Sequence, residues 1–178
     1  MSNLEKRIEI LTKAELRNVL IRLTTEILEK IDEPQNLILM GIPTRGVNLS
    51  EVIALEILKK IGLKVETGTI DPTFYRDDQR EVGTKSIKAD NIPSSLNDKE
   101  IILIDDVIYT GRTVRAAMEA LNFWGRPKKI KLLTMIDRGH RELPIQPDFC
   151  GKEVLTNRDQ NVELRLKSLD NIEGVFLV

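Results

Sequence analysis

The chain has 178 residues, 41% of them apolar and 31% charged, with a formal net charge of −1. That length buries a core and fits one domain spanning residues 1–178, while the balanced charge argues against a strongly basic nucleic-acid binder. No apolar run approaches the roughly 18 residues of a membrane-spanning helix, and the single cysteine, Cys150, rules out an internal disulfide and a cysteine-based zinc cluster.

Residues 1–7 lack the apolar core of a signal peptide, so a cytoplasmic protein is expected. Thr12 reads as a helix N-cap with Glu15 completing a capping box. Leu16, Val19, Leu20, Leu23, Ile27 and Ile31 then recur at helical spacing, predicting an amphipathic helix over 13–31. Pro34 and Asn36 end that unit. Leu37-Ile38-Leu39-Met40-Gly41-Ile42 reads as a buried strand, followed by the turn Pro43-Thr44-Arg45-Gly46, a helix over 47–61 and a strand over 63–70. Residues 76–100 are polar and aperiodic, too long for an ordinary connection, and read as a functional loop or mobile hairpin. A strand at 101–104, a helix at 112–123 and a strand at 130–136 follow, before an irregular tail ending in Val175-Phe176-Leu177-Val178. The alternation predicts an α/β fold, with a parallel central sheet flanked by helices.

The most informative stretch is Ile101-Ile102-Leu103-Ile104-Asp105-Asp106-Val107-Ile108-Tyr109-Thr110-Gly111-Arg112-Thr113. Four branched apolar residues mark a strand buried on both faces. The two carboxylates at its C-terminal end must face a polar crevice, because an uncompensated buried charge is very costly. Ligands of open α/β sheets bind at that edge. Gly111 permits a tight turn, and the following helix N-terminus, with Thr110 and Thr113, suits a phosphate. Neighbouring cation and anion sites imply a phosphorylated sugar, with its hydroxyls and Mg²⁺ at Asp105 and Asp106 and its 5′-phosphate in the loop. The spacing is not that of a P-loop.

Three further segments end at the same edge. Thr44-Arg45-Gly46 suits pyrophosphate through a guanidinium and backbone N–H groups. Asp71-Pro72-Thr73-Phe74-Tyr75-Arg76-Asp77-Asp78 leads into the polar stretch as the root of a closing lid, with Arg76 facing phosphate oxygens. Asp137-Arg138-Gly139-His140, after the last long strand, lies where a base would sit above a ribose. Backbone groups, Arg138 and His140 would read it. Trp124 reads as packing or a subunit contact.

The string 101–113 resembles the phosphoribosyl-pyrophosphate (PRPP) signature of type I phosphoribosyltransferases. Together with residues 41–46, 70–78, 125–127 and 137–145, it resembles the PyrR family, pyrimidine operon attenuators that are also uracil phosphoribosyltransferases. That resemblance implies the type I fold, with a flexible lid loop and a small irregular hood. It also implies the reaction of uracil with PRPP to give UMP and pyrophosphate, with Mg²⁺ bound to PRPP. Asp105 and Asp106 would hold the ribose hydroxyls, while Arg45 and Arg76 would take up the leaving group's charge. A non-proline cis peptide is implied at Thr44–Arg45. Purine relatives carry an Asp where Tyr109 stands, so that carboxylate base is lacking. A homodimer or higher homo-oligomer is implied, with Phe123, Trp124 and Ile21 as interface candidates. So is binding of a pyr mRNA leader hairpin, strengthened by UMP or UTP. Arg22, Lys30 and Lys152 would serve it, but Ile21, Thr25 and Gln146 depart from the pattern of family RNA binders and imply weaker binding. The alternative is a salvage enzyme or UMP sensor without RNA binding.

Overall fold

The computed structural model describes residues 7–77 and 90–178. Asp78 and the middle of the long polar stretch lie outside the described residues. Five strands form a parallel sheet in the order β3-β2-β4-β5-β6, with β2 at Leu37–Gly41, β3 at Glu66–Thr69, β4 at Glu100–Ile108, β5 at Lys129–Asp137 and β6 at Phe149–Glu153. β4 is central, and its residues 101–104 are fully buried. Ile102 and Ile104 join the core against α1 (Lys13–Lys30) and α2 (Arg45–Ile61). Ile101 and Leu103 join the opposite core against α3 (Arg112–Trp124). Strand alternation thus sends one run of branched residues into two helix layers.

The helix starts follow local chemistry. The expected capping box opens α1, where Thr12 Oγ1 accepts from the Glu15 N–H at 3.3 Å and Glu15 Oε2 accepts from the Thr12 N–H at 2.8 Å. α2 begins at Arg45, two residues earlier than the periodicity predicts. Its first turn lies so close to β4 that a Cβ on Gly46 would stand 2.3 Å from the Ile104 carbonyl oxygen.

Several expectations need correction. β4 continues four residues past 104, so the acid pair lies within the strand rather than after it. The strand predicted over 63–70 covers only Glu66–Thr69. The non-proline cis bond joins Pro43 to Thr44, one bond before the expected position. The tail is not irregular. β7 (Val162–Arg165) and β8 (Gly174–Leu177) pair antiparallel, and β1 (Ile8–Leu11) joins β8 to give a three-stranded hood with a short helix α4 (Lys167–Asp170). β6 also escaped the sequence reading, since Phe-Cys-Gly-Lys-Glu lacks an apolar run. Its Gly151 is dictated by packing, because a Cβ there would stand 2.3 Å from the Met135 carbonyl oxygen.

Candidate functional site

The C-terminal end of β4 presents the acid pair. Asp105 is only 7% exposed, and Asp106 is half-buried beside it. The Asp106 N–H donates to Asp105 Oδ1 at 2.9 Å, and the Val107 N–H donates to Asp106 Oδ1 at 2.9 Å. Burial, followed by the charge of Asp106, holds the Asp105 carboxyl well above the usual carboxylate range, with Arg76 pulling the other way.

A cavity of about 280 Å³ opens beside Asp105, lined also by Arg76, Tyr109, Glu142 and residues 110–113. Gly111, at φ +90°, makes the turn into α3. Arg76 donates to Thr113 Oγ1 at 2.9 Å. Asp105, the turn and Arg76 therefore meet at one cavity, and Asp106 does not line it. Arg112 is held by Asp77 at 2.9 Å and Glu142 at 2.7 Å. The N–H groups of Glu142 and Leu143 donate to the Thr110 carbonyl at 3.0 and 3.2 Å, joining the loop after β5 to the turn at 110–113.

Thr44, Arg45 and Gly46 lie on the neighbouring strand end, with Gly46 against the Asp105 backbone. The Arg45 side chain turns toward the hood and donates to Asp170 Oδ1 at 2.9 Å.

On the base side, Asp137 accepts from the Gly139 N–H at 2.9 Å and from Arg141. A second cavity, about 300 Å³, is lined by Asp137, Gly139, His140, Arg141, Gln146 and Glu153, among others. Arg138 is only 7% exposed, and its side chain does not line this cavity. It stacks on the Tyr109 ring at 4.0 Å and donates to Asn161 Oδ1 at 3.3 Å and to the Gln160 carbonyl. A base-reading guanidinium was expected; this one ties the sheet edge to the hood. His140, at φ +61°, sits edge-on to Tyr109 with its ring centroid 5.9 Å away, and its Nε2 lies 2.6 Å from the Thr156 carbonyl. Sequence reasoning gave no role to Arg141, which also donates to the Tyr109 and Ile145 carbonyls at 2.8 Å each. Its i,i+4 spacing from Asp137 was the available signal. Asp170 had none.

The three basic residues expected to meet RNA gather around β6. Arg22 pairs with Glu26 and donates to the Gly151 carbonyl at 2.6 Å. Lys30 stands 5.0 Å over the Phe149 ring, and Lys152 donates to the Ile10 carbonyl at 3.2 Å. On the other side of the sheet Phe123 and Trp124 are exposed edge-to-face neighbours, with Trp124 Nε1 donating to Asp90 at 2.8 Å. Among the described residues, no helix is long and apolar enough to cross a membrane.

The phosphoribosyl transferase domain family matches residues 8–168. Solved structures share the fold. Hypoxanthine phosphoribosyltransferase from Trypanosoma cruzi superposes with a TM-score of 0.73 at 12% identity, covering 97% of this chain and 95% of that one. A Staphylococcus aureus hypoxanthine phosphoribosyltransferase gives 0.67 at 21% identity, covering 95% and 90%. The fold is thus that of the type I phosphoribosyltransferases. Among sequence relatives, the bifunctional protein PyrR of Microcystis aeruginosa is 48% identical over 171 residues, 96% of this chain and 97% of the relative. The bifunctional protein PyrR of Listeria monocytogenes is 42% identical over 179 residues, 98% of each. With similarity of this strength running nearly end to end, the chain belongs to the PyrR family.

Proposed function

We propose that this protein is a uracil phosphoribosyltransferase that also regulates pyrimidine gene expression by binding a pyr mRNA leader hairpin in a UMP- or UTP-dependent manner. The single observation carrying the enzymatic reading is one cavity that joins Asp105, with Asp106 next to it on the strand, to the turn at 110–113 and Arg76. Sheet and hood act together as one domain. PRPP lies with its 5′-phosphate on the N–H groups and hydroxyls of the turn, and its ribose hydroxyls on the acids. The N1–C1′ bond forms as the C1′–O bond to pyrophosphate breaks, and N1 loses its proton to solvent or a neighbour. Positive charge developing at C1′ is stabilised by the carboxylates, and charge on the leaving group by the N–H groups of 44–46, Arg45 and Arg76. Asp137, Gly139 and His140 border the base, while Arg138 shapes that pocket by fixing Tyr109 and the hood.

Mg²⁺ bound with PRPP would neutralise pyrophosphate charge, with Asp105 and Asp106 holding it indirectly through the substrate. The residues fit it: adjacent carboxylates, one kept above its usual range by burial and its neighbour, suit a divalent cation or sugar hydroxyls. No cluster of three or more His, Cys, Asp or Glu suited to a metal stands among the described residues, in keeping with a cation held chiefly by substrate phosphates.

The test is uracil- and PRPP-dependent release of pyrophosphate. It should vanish in the Asp105→Asn/Asp106→Asn protein; activity surviving in that variant refutes the reading. A second reading, an enzyme or UMP sensor without RNA binding, is favoured by the internal partners of Arg22, Lys30 and Lys152. Filter binding of a cognate leader hairpin, with and without UMP, separates the two. Nucleotide-stimulated, salt-sensitive binding supports the regulator, and its absence supports the second reading. The regulator is proposed as a cytoplasmic homodimer or higher homo-oligomer.

A further inference from the structure

Asp170, at the end of α4, is a hood carboxylate bonded to Arg45 of the pyrophosphate loop. Its Oδ1 accepts from Arg45 at 2.9 Å and from Arg165 at 3.2 Å, and its Oδ2 accepts from the Leu166 N–H at 2.9 Å. The carboxylate is only 8% exposed, against 29% for the Arg45 side chain. Arg45 does not border the cavity at Asp105, although the next residue, Gly46, lies against the Asp105 backbone. Its Nε is buried and lacks a hydrogen-bond partner, so the guanidinium is incompletely satisfied in this position.

The two partners are unequally committed. If Arg45 leaves, Asp170 keeps Arg165 and the Leu166 N–H, so no buried charge is stranded. Breaking a buried ion pair is strongly destabilising when the remaining charge has nothing else; Arg165 removes that obstacle. Arg45 has the reverse incentive, since an anion offering several oxygens can satisfy the fork of donors that one carboxylate oxygen does not.

We propose that Asp170 is a positioning residue that competes with pyrophosphate for Arg45, holding the guanidinium against the hood until the substrate's diphosphate takes it. The inference rests on the phosphoribosyltransferase reading and deepens it. Asp170 sets how tightly the diphosphate is held: it weakens binding of PRPP and of the product, and so speeds product departure. Arg165 is its counterweight, since it shares the same carboxylate oxygen and loosens Asp170's grip on Arg45.

The test is calorimetric titration of the full chain with magnesium pyrophosphate. Asp170→Asn keeps an oxygen for the Leu166 N–H but removes the competing charge, and should tighten binding about fivefold, the scale of one partly exposed ion pair. Arg45→Gln should weaken binding, and in that background Asp170→Asn should change nothing. Arg165→Met, which leaves Arg45 as the one cation on Asp170 beside the Leu166 N–H, should weaken binding about threefold. This opposite sign keeps the idea refutable should Asp170→Asn fold poorly. Unchanged or weaker binding by a folded Asp170→Asn protein overturns the proposal, as does tightening that persists without Arg45. Both outcomes leave the enzymatic reading intact when the wild type binds. Pyrophosphate binding by no variant, the wild type included, overturns that reading and this inference together.

Discussion

Replacing Gly46 by alanine tests how the start of α2 is seated. A methyl group there would lie 2.3 Å from the Ile104 carbonyl oxygen, whereas real Cβ contacts essentially never fall below 3.0 Å. The obstacle is central-strand backbone, which cannot rotate aside, so the loop must retreat by at least about 0.7 Å. Two effects compete. Alanine in a helix gains roughly 0.5–1 kcal/mol over glycine, while forcing a methyl into packed backbone costs about 1–3 kcal/mol. The clash wins, for a net loss of about 1–2 kcal/mol and a fall in melting temperature of roughly 2–8 °C for a domain of this size. Function suffers more. The retreating residues are those proposed to hold pyrophosphate, and displacement approaching 1 Å costs about a hundredfold in rate. Thermal unfolding by circular dichroism and steady-state kinetics in PRPP should therefore show a modest stability loss with a large drop in kcat/KM. A Gly46→Ala enzyme retaining both stability and kcat/KM would refute the reasoning.

Three other outcomes are expected. Asp105→Asn should abolish activity yet stabilise the fold at neutral pH. The Asp105 carboxyl titrates above its unfolded value, so its favourable contribution is complete in acid and is lost as pH rises through the folded pKa; denaturant melts should show the variant's advantage widening from acid toward pH 8, and a constant offset would contradict this. Gly151→Ala meets the Met135 carbonyl at the same 2.3 Å, but on the far strand from the acid pair, so it should lower the melting temperature while leaving KM for PRPP within about twofold. Arg138→Lys should behave as a severe change, losing roughly 2–4 kcal/mol, because one ammonium cannot both stack on Tyr109 and reach the Asn161 side chain and the Gln160 carbonyl; stability within 0.5 kcal/mol of wild type, a rough threshold, would show the hood tie to be unimportant.

What could be read in advance was whatever is written locally. Four consecutive branched residues identified β4, Thr12 and Glu15 announced α1, and Gly111 beside two threonines marked the turn into α3. Asp105 and the turn lie on one short string, so their meeting at a cavity needed no long-range information. The hood was illegible for the opposite reason. β1 pairs with β8, joining Ile8 to Leu177 across nearly the whole chain, and each hood strand is only four residues long. Arg45 and Asp170 are 125 positions apart, and neither residue carries a sign of the other. Arg138 was assigned to the base because its position on the edge is evident from the strand, whereas its side-chain direction depends on the 157–161 segment that folds over it.

The order of synthesis gains meaning from the hood's make-up. Of its strands, β1 precedes the five parallel strands along the chain and β7 and β8 follow them. A nascent chain can lay down the sheet, the acids and the phosphate turn while the roof is still missing two of its three strands. The floor of the candidate site is thus laid down before the enclosure above it, which closes only once β7 and β8 have been made.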